Sequence, residues 1–528
     1  MGEEVHLERK VTPQGFRSIR ITGGYPAGVP LDQNYWRYTG RIAIVGVDIG
    51  TQSLKVVVLD GALAVRGQAS RAYPFDQPRP GWAQQDPALW EAALAPAVGE
   101  ALGRAGLDPR EVEAVGVAGQ LDGCVAVGKG GEPLGPCLIW LDRRAEREMP
   151  ELPADFRERT GLVADPGHMA AKIAWLQRHA MGLAGARFHQ PVSYLVERLT
   201  GTAVLDHGLA STSMLYGLAR RDWESDLLSC FAVDRQSLPD IDAAGARAGV
   251  LGAAGAAMTG LPAGIPVAVG TGDDFATPLG AGIVAPGEVA CVLGTAEVVG
   301  GLCERPVIDP GGLVETHGFA TPGYFVENPG WLSGGAVAWL RRLLGASDDA
   351  ELDGWAEPVA AGADGVTFLP ALSGAMAPEW HASARGCFYG LTAAHERGHL
   401  ARALLEACAF AMRDVVDRLA ALGVPVEQVV LIGGGSKSRV WAQIRADLLD
   451  RPVAVSDVAD ACPLGAALLG ASAAGLVPNL AAAAFRAAAP RRSVAPDPRQ
   501  RAAYDAAYAR YRALFSALRP LWGQATGP

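Results

Sequence analysis

The sequence predicts an α/β protein built from two related domains with a central cleft, and three observations carry that prediction. Apolar strand-like runs rich in Val, Ile and Ala alternate with helical periods and end in glycine turns, the pattern of α/β units. The strand, Gly-Thr turn and strand of residues 44 to 58 returns at residues 289 to 300, so each half opens on the same hairpin, as duplicated domains do. At 528 residues the chain is also too long for a single compact core.

Composition narrows the function classes. With 49% hydrophobic and 19% charged residues the chain is of ordinary globular type, and a net charge of −10 argues against a general nucleic-acid surface. Phosphorylated small molecules stay open, because helix N-termini and glycine loops hold phosphate without net positive charge. The eight cysteines form no Cys-x-x-Cys pair and lie in apolar contexts such as Val-Ala-Cys291-Val-Leu, so buried reduced thiols are expected rather than zinc or disulfides. No window has the apolar length to span a bilayer, and the start at Met1-Gly-Glu-Glu-Val-His6 lacks a signal peptide's apolar segment, so a cytoplasmic enzyme without membrane partners is expected.

Taken in order, residues 1 to 40 are polar, rich in Gly, Pro and Arg, and without a sustained period; they read as a poorly ordered extension with no catalytic role. Order begins at Ile42, where a buried strand containing Asp48 turns at Gly50-Thr51-Gln52-Ser53 and returns through Lys55. Backbone amides at such a tip can cradle phosphate oxygens, and Lys55 adds a charge nearby. Asp48 stands in an apolar run, where an unpaired carboxylate costs several kcal/mol, which points to a metal-water or substrate contact. The chain has no Gly-x4-Gly-Lys-Ser/Thr P-loop.

A helix follows from about Pro87 to Arg104, with Leu89, Trp90, Ala93, Leu94, Val98, Ala101 and Leu102 on one face. One strand then leads into Gly119-Gln120-Leu121-Asp122-Gly123 and another ends at Ile139-Trp140-Leu-Asp142-Arg143-Arg144. Polar side chains at both ends would converge on one sheet edge and read a polyhydroxy ligand, while Asp142 can equally pair with Arg143 or Arg144. From 150 to 260 the chain reads as helical, with Trp175 as a core residue. The apolar run Val267-Ala-Val-Gly270-Thr-Gly272 then feeds Asp273 and Asp274. These acids invite a reading as a general base with a metal or hydroxyl partner, or as helix caps, and this segment alone leaves both open.

The second hairpin places Gly294 and Thr295 at its tip. A long helix is expected over 400–422, and a strand at 429–432 enters Gly433-Gly434-Gly435-Ser436 ahead of a further helix. Such a loop lets a nucleotide approach the backbone closely, although a tight connection also explains glycines there. A helix over 500–518 closes the chain.

These pieces resemble the FGGY carbohydrate kinases from Ile42 to about Leu518. They occur in that family's order: Asp48-Ile-Gly-Thr51; Gly119-Gln120 with Ile139-Trp140; Lys172-Ile-Ala-Trp175-Leu; Gly272-Asp273; Leu293-Gly-Thr295; and Gly433-Gly-Gly-Ser436. Gly386-Cys-Phe388-Tyr-Gly390-Leu and His399-Leu-Ala-Arg-Ala403-Leu-Leu-Glu406 resemble the family's C-terminal signature. The resemblance implies two actin-like (ribonuclease H-like) domains, a sugar-binding one over 41–284 and a nucleotide-binding one over 285–518. It implies ATP and Mg2+ as cofactors, with a small sugar as acceptor and Asp273 as general base. Asp48 and Asp273 are implied to position the metal. Gly50, Thr51, Gln52, Ser53, Lys55, Gly294 and Thr295 are implied for the phosphates, and Gly433, Gly434, Gly435 and Ser436 for the nucleotide. Gln120, Leu121, Asp122, Trp140, Asp273 and Asp274 are implied for the acceptor. Homodimers are common among similar kinases.

Departures from the family pattern bear on the acceptor. Xylulokinases commonly carry Met-His-Gly after the Gly-Gln, and here Leu121-Asp122-Gly123 stands there; Asp274 occupies the place of a usual Asn, and Ala296 that of a Ser. An ionised Asp only accepts hydrogen bonds where His can donate. The first expectation is a ketopentose such as D-xylulose, the second a polyol such as erythritol or another sugar, and the third, from a different class, a non-catalytic sugar- or nucleotide-binding protein of the same fold.

Overall fold

The computed structural model describes residues 6–11, 17–22, 42–488 and 490–522. Residues 1–41 form one unit and residues 42–528 another. Within the first, His6–Val11 and Arg17–Thr22 pair as antiparallel strands; the rest of the extension expected over 1–40 lies outside the described residues.

The second unit is organised by two sheets. The first contains β1 (Ala43–Ile49), β2 (Ser53–Asp60), β3 (Val65–Ala72), β4 (Val112–Gly119), β5 (Arg247–Val250), β6 (Pro266–Ala268) and β7 (Thr271–Gly272), in the order β5-β6-β4-β1-β2-β3 with β7 alongside β4. The second contains β8 (Gly287–Leu293), β9 (Ala296–Cys303), β10 (Glu315–Gly318), β11 (Tyr324–Leu332), β12 (Val426–Ile432), β13 (Val453–Ser456) and β14 (Arg491–Val494), in the order β10-β11-β9-β8-β12-β13-β14. In each, three antiparallel strands continue through two parallel strands to an antiparallel edge strand, and the second sheet adds β10, antiparallel to β11, at its other edge. The repeated hairpin is thus the visible part of a repeated sheet, the actin-like (ribonuclease H-like) arrangement. The central strands β1 and β8 are mostly apolar, because both their faces are covered; Asp48 stands near the end of β1, and Glu288 at the start of β8 pairs with Arg491. Each sheet has its own core, one drawn from residues 43–269 and the other from 289–522.

The helices follow from local chemistry. Helix α1 (Pro87–Ala105) is capped by the Asp86 carboxylate, starts on Pro87 and buries Trp90, Leu94, Val98, Ala101 and Leu102 against β2 and β3. Helices α2 (Met169–His179) and α3 (Pro191–Thr200) fill the segment expected to be helical, but strands of two to four residues, such as Arg187–His189 and Val204–Asp206, interleave with them. Strands that short carry no readable period. Trp175 is half-buried, stacked on His179 and edge-on to Trp82. Helix α4 (Asp273–Gly280) follows β7 directly. The second half adds α5 (Gly334–Leu344), α6 (Arg397–Ala421), α7 (Arg439–Leu449), α8 (Ala461–Ala473) and α9 (Arg501–Trp522). All eight cysteines are free; five are buried, and Cys230, Cys387 and Cys462 are partly exposed.

Helix α8 departs from simple duplication. It follows β13 in the chain, yet it packs against β1 and β4 of the first sheet and against α4. The contact is backbone on backbone: a Cβ added at Gly46 would lie 2.0 Å from the Pro463 carbonyl oxygen, and one at Gly116 1.7 Å from that of Ala466. Ala118, Ala276 and Ala466 complete a seam of small buried residues.

A second anchor is electrostatic. The Arg445 guanidinium on α7 meets the Glu297 carboxylate on β9 in a fork of 2.6 and 2.8 Å, both residues fully buried, and the Ser333 hydroxyl donates to the same carboxylate at 2.6 Å. This fixes the strand leaving the second hairpin.

Gly116→Val should lower stability by about 3 kcal/mol or more, since the clash is with backbone that cannot rotate away; chemical denaturation measures it. Removing one partner of the buried pair, as in Glu297→Ala, should cost about 3–5 kcal/mol, and the double variant with Arg445→Met should lose less than the sum of the single losses.

Candidate active site

The site forms where β1, β4 and β7 end in the first sheet and β8 and β12 end in the second. Crevices at the carboxyl ends of parallel strands are where open α/β sheets bind ligands. The first hairpin tip is tied down from behind. Gly50 donates to the Ser53 carbonyl at 3.0 Å, while the carbonyls of Gly50, Thr51 and Gln52 accept from the Tyr73 hydroxyl, Gln85 Nε2 and the Tyr73 amide at 2.7, 3.0 and 3.0 Å. With the carbonyls engaged on the protein side, the shape of the tip is fixed. The indole of the partly exposed Trp140 donates to Thr51 Oγ1 at 3.0 Å, joining an expected acceptor residue to an expected phosphate residue.

Asp48 lies near the end of β1, 7% exposed, and its Oδ1 has no hydrogen-bond partner. Burial, helped by the nearby charge of Asp273, raises its carboxyl to about 7. Lys55, its cross-strand neighbour, pairs with Asp460 at 3.1 Å and works in the opposite direction. Asp273 is the first residue of α4, after the N-cap Gly272. Burial raises its carboxyl also, while the first-turn amides of Asp273 and Asp274 favour its charged form. The expected caps are thus not found, since Gly272 is the N-cap and no side chain caps the helix; Asp273 and Asp274 are first-turn acids, and the charge of Asp273 reaches Asp48. Asp274 is raised further, by burial and then by the charge of Asp273.

The side expected to take the acceptor holds Gln120 and Asp122. The Gln120 amide donates to Gln85 Oε1 at 3.0 Å, which also accepts from the Trp90 indole at 2.8 Å, and Gln120 Oε1 is buried without a partner. Asp122 adopts a left-handed backbone conformation (φ 58°) that the surroundings over-determine. Its amide donates to Gln190 Oε1 at 2.9 Å, its carbonyl accepts from the buried Lys172 ammonium at 2.6 Å, and its Oδ2 lies 3.1 Å from His168 Nδ1. Burial opposes a charge on His168, but Asp122, Glu315 and Asp165 outweigh it and raise the imidazole to about 9. Leu121 packs beside Gly272. Asp142 is buried in a pair with Arg144 at 2.8 Å and accepts from the Ala83 amide, so its role is structural.

On the other side of the cleft, Gly294 donates to the Ala296 carbonyl, and Thr295 accepts from the Ser333 and Gly335 amides at 3.1 and 3.0 Å. The glycine loop after β12 separates into roles. Gly433 needs its φ of 91°, and a Cβ on Gly435 would lie 2.9 Å from both Leu293 and Trp441; Gly434 has nothing within 4 Å of an added Cβ. Two of the three glycines serve the turn, and the third faces open space. Ser436 is buried and spends its hydroxyl on the Gly433 carbonyl at 2.7 Å.

The structure also brings in residues that the sequence did not single out: Tyr73 and Gln85 behind the hairpin, His168 beside Asp122, and Glu315, His317 and Glu327 from β10 and β11. Glu327 had a signal, an acid inside the apolar run Tyr-Phe-Val-Glu, the same anomaly that marked Asp48. His168, in a loop with no period, had none.

Known proteins bear on this geometry. Residues 43–280 match the model of the N-terminal domain of the FGGY family of carbohydrate kinases, and residues 289–474 that of its C-terminal domain. A glycerol kinase of Gloeobacter violaceus is 34% identical over 80% of this chain and 87% of its own length. A xylulose kinase of Escherichia coli is 32% identical over 90% and 99%. The crystal structure of a "xyloylose kinase" from Brucella ovis superposes with a TM-score of 0.84 at 32% identity, covering 91% of this chain and all of that one. Two family models end to end, relatives aligned over most of their length and a repeated sheet with its cleft agree: the chain belongs to the FGGY family of carbohydrate kinases.

Proposed function

We propose that this carbohydrate kinase transfers the γ-phosphoryl group of ATP to a terminal hydroxyl of a small polyhydroxylated acceptor, with a ketopentose such as D-xylulose as the first reading. The observation that carries the reaction is the placement of Asp273, a cleft-facing carboxylate at a helix start within reach of the charge of Asp48. The xylulose kinases among the relatives support the ketopentose. A small polyol is the second reading. The carboxylates of Asp122 and Asp274 favour it, since they accept from hydroxyls and cannot donate when ionised.

The terminal hydroxyl oxygen attacks the γ-phosphorus while Asp273 accepts the hydroxyl proton; the bond from phosphorus to the β,γ-bridging oxygen breaks, and ADP leaves. The tips at Gly50–Ser53 and Gly294–Thr295 hold the phosphates with the amides that follow Gly50 and Gly294, whose own amides close the turns; Lys55, paired with Asp460, adds positive charge, and the open space beside Gly434 admits the nucleotide. Gln120, Leu121, Asp122, Trp140 and Asp274 orient the acceptor.

The residues present fit Mg2+. Asp48 offers a buried carboxylate oxygen without a partner, Asp273 a second hard oxygen ligand, and among the described residues no His, Cys and acid cage competes. Held by these two residues, the ion would supply positive charge to neutralise the phosphoryl group.

Asp273→Ala should lower kcat at least about a hundredfold while the protein still melts cooperatively, measured as ADP release across ketopentoses, polyols and hexoses. Near-normal turnover in that variant would remove Asp273 as the base.

A further inference from the structure

Behind the first hairpin lies a short chain of hydrogen bonds in which every direction is forced. Gln85 stands on a two-residue strand, Gln84–Gln85, which pairs with Cys137–Leu138 just ahead of Trp140, and the residue is 1% exposed. Its Nε2 meets the carbonyls of Thr51 and Pro74 at 3.0 and 2.9 Å, and its Oε1 meets the Trp90 indole nitrogen at 2.8 Å. A carbonyl only accepts and an indole N–H only donates, so these partners fix which end of the Gln85 amide is which. The direction of the next contact follows: Gln120, 3.0 Å away, offers its Nε2 to Gln85 Oε1, and its own Oε1 is turned the other way.

The Gln85 amide thus uses both its hydrogens and both lone pairs of its oxygen. Among the side-chain polar atoms of Gln85, Trp90 and Gln120, the buried one without a partner is Gln120 Oε1. A network that served packing alone would close on itself, because a buried acceptor left unmatched is costly. This one is complete except at the Gln120 end, where a hydroxyl of the acceptor would supply the missing hydrogen. Its other end is the phosphate hairpin. The C=O and N–H of one trans peptide point opposite ways, so holding the Thr51 carbonyl from behind aims the Gln52 amide away from Gln85.

Resting on the kinase reading above, we propose that Gln85 is a positioning residue for phosphoryl transfer: it sets which end of the Gln120 amide meets the acceptor and, through the Thr51 carbonyl, ties that amide to the first phosphate hairpin. Truncating it frees the Gln120 amide to turn over, presenting N–H groups where an oxygen stood, and frees the Thr51–Gln52 peptide to rotate. Both substrates lose affinity, although Gln85 touches neither.

The test compares wild type with Gln85→Met, Gln120→Ala, the double variant and Trp90→Phe by ADP release, on whichever ketopentose, polyol or hexose wild type turns over fastest. Gln85→Met should raise the acceptor KM at least about fivefold and the Mg-ATP KM at least about threefold, and falling short of either rise would overturn the proposal. Trp90→Phe removes a donor to the same Gln85 oxygen from the core side; it should lower the melting temperature yet keep both KM values within about twofold. Equal KM losses in Trp90→Phe and Gln85→Met would mean general loosening and overturn the assignment. Because Gln85 acts on the acceptor through Gln120, the double variant should have an acceptor KM within about twofold of that of Gln120→Ala, and multiplied losses would overturn it. Gln85→Glu, isosteric with glutamine, stands in if the methionine variant does not fold. It still accepts from Trp90 and Gln120 but brings at most one hydrogen to the Thr51 and Pro74 carbonyls, so the Mg-ATP KM should rise more than the acceptor KM; the reverse order would overturn the proposal. No ADP release from wild type on any acceptor would sink the kinase reading. Melting shifts with the same compounds and Mg-ATP then decide Gln85 separately: shifts lost in Gln85→Met and kept in Trp90→Phe support it, shifts kept in both overturn it, and no shift in wild type sinks both readings.

Discussion

Two carboxylates that repel one another, Asp48 and Asp273, are held together inside a cleft, and much of the surrounding structure serves to keep them there. Left to itself the pair would separate into water, because burial opposes the ionisation of both and the charge of Asp273 opposes that of Asp48. Asp48 is fixed by its strand, hydrogen-bonded on both sides, and Asp273 by the first turn of α4. Helix α8 joins the two supports: its backbone presses on β1 at Gly46 and on α4 at Gly280 and Ala276. The glycine seam thus sets the spacing of the acids from behind, at a distance of approach that a single Cβ would spoil.

That α8 comes from the second half of the chain means the two halves cannot be read as independent beads. Sequence repetition predicts two like domains, and the sheets are indeed alike down to their antiparallel edge strands. The helix after β13 nevertheless serves the first sheet. Nothing in the apolar composition of Ala461–Ala473 says which sheet it covers, because Ala and Gly suit any close backbone contact. Only the matching glycines at 46 and 116, far away in sequence, make the choice.

The same distinction explains what could be read of the site. Asp48, the hairpin tips, Gln120, Asp273 and the glycine loop lie in strand-turn units whose local pattern announces them, and their placement needs only that the strands pair in the usual way. Asp122 was legible as a departure, but its environment was not. Its left-handed backbone, the Lys172 ammonium on its carbonyl and His168 beside its carboxylate come from segments some fifty residues away, with no shared period. The glycine loop was legible as a unit yet not in its parts, because the need for a positive φ at Gly433, close packing at Gly435 and open space at Gly434 look identical in a sequence.

The second lobe's acids show where this kind of reading can be extended. An acid in an apolar strand was enough to mark Asp48, and Glu327 satisfies the same criterion. Their contexts differ: Asp48 precedes a glycine tip, whereas Glu327 is followed by Asn328 and Pro329. The pairing of β10 with β11 puts Glu315 opposite Glu327 and sets His317 beside them. Three polar groups on one buried sheet edge are expensive as packing unless neighbouring groups complete them. A residue whose partners come from the other lobe is invisible to any analysis of its own segment, which is why this cluster emerges from cross-strand register rather than from a motif.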